Sequence, residues 1–285
     1  MNNNLSTFRT RAVIIALEGK SLVSTESLSV HRPLAGTVAK LSGFLKELGD
    51  DLGYRVSGIQ DTLFKTDVKT KKGQELLLSR LPGTDYLNLA PIRVPVLPGL
   101  RVTWLDLLHN MKPGVEFSVS LQENVIHPFK QFVATALTNP EKFSSSALNS
   151  TVNFVDYELL KKSLGASVSG NASVNVRKYG ECVARNSDMA EVLDLTNNFE
   201  HVFMNSNPQM LMAEIDELRE LFGQLSANIT DTNQQFRLNG KTISNLATAA
   251  YNVAESVEYY AAVRTLFINH ANAMKAAVDK LVKAV

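Results

Sequence analysis

Leu246, Val253, Tyr260, Phe267, Met274 and Leu281 follow one another at seven-residue intervals through the last forty residues of the chain. Six consecutive heptad positions of this kind demand a long helix with a continuous apolar seam. The predicted helix runs from about Thr242 to Val285 and would be roughly 65 Å long at ~1.5 Å per residue. Ala250, Val257, Ala271 and Val278 widen the stripe. A helix of this length cannot bury its seam alone, so it constrains everything else the chain can do.

A shorter partner precedes it. Asn207-Pro208 is a strong start signal, with a capping Asn and a proline in the first turn. From there Leu211, Ile215, Leu218, Phe222, Leu225 and Ile229 recur at alternating steps of four and three. The polar stretch 230–241 reads as the turn between them. The expectation is an antiparallel hairpin of helices at 208–229 and 242–285. The distal half of the longer one then needs the body of the chain or another subunit.

The rest of the chain predicts a helical body. Leu34, Val38, Leu41, Leu45, Leu48 and Leu52 recur at helical spacing after Pro33, with a break expected near Gly53. Before it, only a short helix or strand is expected, near Ala12–Leu17. Lys69–Gly73 reads as a basic loop, followed by a short helix from Gln74 to Leu81. Residues 82–100 hold Pro82, Pro91, Pro95 and Pro98. Proline lacks the amide donor and restricts its predecessor, so this stretch predicts an extended, partly buried arm. Ile92, Val94 and Val96 are its candidate contact residues.

A short helix from Thr103 should stop at Pro113-Gly114, and the alternation Val115, Phe117, Val119, Leu121 predicts a strand. A helix from about Glu123 to Leu137, across Pro128, comes next. Residues 138–150 are the expected linker between an N-terminal region, 1–140, and a C-terminal region, 151–285. The latter should hold a helix near 156–164, a loop or hairpin within 165–178, and a helix from Ser187 to Phe203. The fold class that follows is mainly α, with a small β element and a C-terminal helical hairpin ending in a long helix.

Composition narrows the functions. The chain has 285 residues, 29 basic and 28 acidic, and a single cysteine, Cys182. Balanced charge disfavours a dedicated nucleic-acid or membrane surface, which needs clustered Lys and Arg. One cysteine excludes an intramolecular disulfide and a cysteine-based zinc site. The histidines, His31, His109, His127, His201 and His270, are too far apart for a helical metal pair. No phosphate loop, dinucleotide fingerprint or Gly-x-Ser-x-Gly elbow occurs. The carboxylates Glu214, Asp216, Glu217 and Glu220 fall opposite the seam and read as a solvated face. Asp50 and Asp51 read as a cap or turn. Lys69, Lys71 and Lys72 form the sole basic cluster, read first as a solvated loop and second as a phosphate or acidic-partner contact.

No catalytic residue, cofactor or metal is therefore expected. The expected function is that of a non-enzymatic structural or assembly protein, working through protein contacts or self-association in the cytoplasm. Within that class the expectation leans towards a viral protein, such as a component of a tailed-phage particle or of a phage-built intracellular assembly. That leaning rests on general character and on no motif. The candidate interface residues are the six heptad positions from Leu246 to Leu281, the four from Leu211 to Phe222, and the three of the arm. The alternative is an adaptor whose hairpin offers a groove to a different protein.

Overall fold

The computed structural model describes residues 2–23, 31–60, 68–138, 175–205, 208–230 and 240–285. They are mainly helical, with one small antiparallel sheet and a long C-terminal helix. Of the expected linker at 138–150 only Thr138 is described, as the last residue of a helix; the rest of it, the helix near 156–164 and residues 231–239 of the turn expected at 230–241 lie outside the described residues, while Thr230, Gly240 and Lys241 are helical. Two compact units are each drawn from three stretches of chain. One takes Met1–Gln60, Ser120–Val155 and Pro208–Tyr259, the other Asp61–Val119, Asp156–Asn207 and Tyr260–Val285.

The first unit is built on α1 (Asn2–Val23), α2 (His31–Gln60), α6 (His127–Thr138), α9 (Pro208–Thr230) and residues 240–259 of α10 (Gly240–Val282). The short element expected at Ala12–Leu17 is instead the middle of a 22-residue helix. Phe8, Ala12 and Ile15, at helical spacing, are buried, and Phe8 packs edge-on to Phe44 at 6.1 Å. The ion pairs Arg11–Glu47 and Glu18–Lys40 fix α1 antiparallel to α2. The break expected near Gly53 is absent, and α2 is continuous.

α9 packs closely along α2. The two run antiparallel, since Ser42 shares a hydrogen bond with Ser226 and Asp50 pairs with Arg219 at 2.7 Å. Small residues permit the approach. A methyl group at Gly49 would lie 3.2 Å from Cγ of Arg219. On the other flank α9 meets α6, where Phe129 and Phe222 pack edge to face at 5.7 Å.

The second unit holds α3 (Val68–Arg80), α4 (Tyr86–Leu89), β1 (Arg93–Val96), most of α5 (Trp104–Leu121), β2 (Asn175–Lys178), α7 (Tyr179–Cys182), α8 (Asp188–Asn205) and residues 260–282 of α10. Lys69–Gly73 is not a loop, because α3 begins at Val68 and buries Thr70, Gln74 and Leu77 at helical spacing.

The proline-rich arm is more structured than expected. It contains α4 and then β1, which pairs antiparallel with β2, Val94 opposite Arg177 and Pro95 opposite Val176. A two-stranded sheet has only edges, which is where proline is tolerated. Leu97–Leu100 closes as a turn with Leu100 N–H on the Leu97 carbonyl, and Gly99 takes φ 74°. Proline at the second position and a positive-φ glycine at the third are the type II pattern. The arm's carbonyls find donors from the segment after β2 begins. Arg177 donates to the carbonyls of Leu100 and Val102, and Asn186 to that of Thr84.

The strand expected at 115–121 is helical. α5 runs through Pro113, and Met111, Val115, Ser118 and Leu121 are buried while Val119 is exposed. His109 and Pro113, one turn apart, are both exposed, so water can satisfy the carbonyl that the proline leaves unbonded. A π-helical turn, Gln122–Ile126, then leads into α6, directly before Pro128.

α10 departs most from a single seam. Between 243 and 278 only Thr248, Asn272 and Ala276 are exposed. A helix buried on nearly every side is a core helix rather than a surface one. Tyr259 and Tyr260, adjacent and therefore on different faces, are both buried. Among the described residues no helix is long and apolar enough to cross a membrane.

Candidate functional site

The expected interface residues are taken up inside the chain. Leu246, Val253, Tyr260, Phe267, Met274 and Leu281 are buried, as are Leu211, Ile215, Leu218 and Phe222. In the arm, Val94 and Val96 are buried and Ile92 is half-buried. The acidic residues near the start of α9 are not a uniform solvated face. Glu214 accepts a hydrogen bond from Gln122 at 3.0 Å, and Glu217 pairs with Lys130.

What is left on the surface is apolar in one notable place. α1 carries a second set of apolar side chains beside its buried face. Val13, Ile14 and Leu17 are 50%, 46% and 60% exposed. They lie within about one turn of each other, between exposed Arg9 and Lys20. Sequence reading missed this strip, because apolar residues on two faces blur the helical period of the segment.

A cavity of about 400 Å³ opens between α3 and α8. Its buried lining is polar, with Gln74 and Glu200 each 8% exposed. Asn197 Nδ2 donates to Gln74 Oε1 at 3.2 Å across the two helices. Leu78 and Met204 supply apolar surface, and Lys71, Glu75 and His201 are its exposed charged or titratable members. Of the expected basic cluster, only Lys71 reaches it.

The C-terminal part of α10 buries two basic side chains. Arg264 is 4% exposed, and its Nη1 donates to Tyr260 Oη at 3.2 Å and to the Phe203 carbonyl at 3.5 Å. Its Nε has no partner. His270 is 1% exposed with Nε2 unpartnered, and burial pushes its pKa down to about 4. The ring is therefore neutral at pH 7. Three other histidines are surface groups. His109 faces Glu191 at 3.3 Å, His127 faces Gln131, and His201 faces Asn205. Cys182 is a buried free thiol whose pKa burial raises to about 11. Among the described residues no group of three or more His, Cys, Asp or Glu could hold a metal ion.

No family model matches the chain, and neither the curated proteins nor the solved structures contain a match.

Proposed function

We propose that the chain is a non-enzymatic assembly protein that associates with copies of itself through the outer face of α1. The observation that carries this is the exposed strip of Val13, Ile14 and Leu17. Large apolar side chains grouped on a helix already anchored on its other face leave apolar surface in water, which a partner would remove. The strip is self-complementary. A second copy laid antiparallel would set Val13 against Leu17 of its partner, and Arg9 against Ser21, with no like charges opposed. The heptad seams then serve the interior, and α1 serves the contact.

The finer expectation, a component of a tailed-phage particle or of a phage-built assembly, enters this proposal on sequence character alone. Ordered tubes, shells or sheets of the purified protein in electron micrographs would support it, and discrete small oligomers would count against it.

The test of the main reading is the double variant Ile14→Asp, Leu17→Asp. Both positions are exposed, so the fold should survive, with an unchanged far-ultraviolet circular dichroism spectrum. Association should be lost. A wild-type and a variant that sediment alike at every concentration would sink the proposal. The adaptor reading puts its groove on the C-terminal hairpin; a different observation, the α3–α8 cavity, would put such a groove elsewhere, and either predicts a partner of another kind.

A further inference from the structure

We infer that the basic surface formed by β1, β2 and the end of α10 docks onto the acidic outer face of α9 in a second copy of the chain. The contact is head to tail and links α1 dimers into a larger assembly. The inference rests on the self-association proposed above and adds what the α1 contact lacks. An antiparallel α1 pair is isologous and closes at two copies, so growth needs a second, heterologous surface.

The basic side starts from the register of the small sheet. Arg93 stands opposite Lys178, and both are exposed. Pro95 has no amide hydrogen, and Tyr179 N–H donates to the Ile92 carbonyl. The alternation of the ladder therefore makes Arg93 and Lys178 a non-hydrogen-bonded pair, the kind whose side chains are closer. Like charges directly opposed in this way are destabilising. Lys280 of α10 adds a third cation, with Nζ 3.4 Å from the Arg93 carbonyl oxygen. Exposed Lys283, three residues on, shares its side of the helix. None of the four is in an ion pair among the described residues. Glu181, three residues after Lys178, is taken by Arg177. Against the four cations stands exposed Asp279, the neighbour of Lys280.

The acidic side is the stripe of α9 opposite its buried seam. Asp216 and Glu220, one turn apart, are exposed, and neither is in an ion pair among the described residues. Their spacing is itself repulsive. The Glu217 side chain is 61% exposed and that of its partner Lys130 only 16%, so the negative end of this pair faces out. Arg219 on the flank is matched by Asp50. Exposed Ala213 and Gly223 share the stripe, and a methyl group at Gly223 would meet nothing within 4 Å. Long basic side chains can therefore lie across it.

Each surface keeps a local repulsion that the other relieves, and the two belong to different compact units. Each spans on the order of 10 Å, given neighbouring Cβ atoms about 5–6 Å apart on a helix and slightly closer across a strand pair. One such contact between monomers is weak, since an exposed ion pair strengthens binding by about fivefold at most. An α1 dimer carries two copies of each surface, and growth proceeds from it.

The test is native mass by light scattering at low and high salt, for the full chain and three variants. The first is Lys178→Glu, Lys280→Glu, and the second is Asp216→Lys, Glu220→Lys. The third carries all four changes and keeps the net charge of the wild type. All four positions are exposed, and retention of the α1 dimer reports that each variant folds. At about 0.01 M salt, where charges act over ~30 Å, the wild type should exceed a dimer. At about 1 M, where they act over ~3 Å, it should return to one. The first two variants should stop at the dimer in both. The third exchanges the signs of the two surfaces and should grow like the wild type.

The inference is overturned if the wild type never exceeds a dimer at low salt, or if either two-site variant grows as well as the wild type. It is also overturned if the four-site variant stops at the dimer. Growth lost in the first variant but kept in the second would assign the basic surface to another anion, such as a phosphate polymer. A wild type that is monomeric at low salt fails the α1 reading as well, whereas a dimer that does not grow fails this inference alone.

Discussion

His270 gives the sharpest quantitative test of the core. Its ring is 1% exposed, and burial lowers its pKa to about 4, against about 6.5 in the unfolded chain. The native state favours the neutral ring, so the unfolded chain takes up a proton first as the pH falls. Stability from this residue is fully present above pH ~6.5 and is lost as the pH falls through the native value of about 4. Linkage gives a loss of about 2 kcal/mol by pH 5 and about 3 kcal/mol at pH 4. Most carboxylates are still ionised at pH 5, so the window from pH 7.5 to 5 isolates the histidine. The assay is urea unfolding across that window for the wild type and for His270→Leu. The leucine variant removes a buried nitrogen without a partner, so it should be close to neutral at pH 7.5. Its stability should then change by about 2 kcal/mol less than the wild type's on going to pH 5. Parallel pH dependence in the two proteins would refute the reasoning, because it would mean that the ring titrates alike in the native and unfolded states.

Three further outcomes follow from the packing. Gly43→Ala meets no atom within 4 Å and should stabilise α2 by about 0.5–1 kcal/mol, whereas Gly49→Ala, with its methyl 3.2 Å from Arg219 Cγ, should gain less or lose; thermal melts of the pair check this. Arg264→Met should raise the urea midpoint, because it replaces a buried guanidinium whose Nε is unbonded with an apolar chain of similar reach. Cys182, buried and with a thiol pKa of about 11, should react with a thiol reagent at pH 8 only at the rate of unfolding; fast labelling of the native protein would contradict its burial.

The helical class and the two C-terminal helices were legible because long, regular apolar spacing has one physical reading. All-round burial of α10 was not. A heptad template registers Leu246 and Val253 but passes over Ala247, Ala249 and Ala254, whose small side chains let neighbours close on the remaining faces. The packing of α2 against α9 was not legible for a related reason. Ser42 and Gly49 look like weak helix positions in isolation, yet they are what lets α2 approach α9 closely. Pro113-Gly114 is a strong stop signal, but α5 continues because the affected turn faces water. The cavity left no trace in the sequence. Gln74 and Asn197 stand 123 residues apart, and an amide pair across two helices belongs to no spacing motif. The outer strip of α1 was hidden in a segment whose apolar residues point both ways.

The most direct measurement is native mass by light scattering on a sizing column, over a range of loading concentrations, for the wild type and for Ile14→Asp, Leu17→Asp. Self-association through α1 predicts a wild-type mass that exceeds the monomer and rises with concentration, and a folded double variant that stays monomeric throughout. A wild type that is monomeric at every concentration, or a double variant that assembles as well as the wild type, would contradict it.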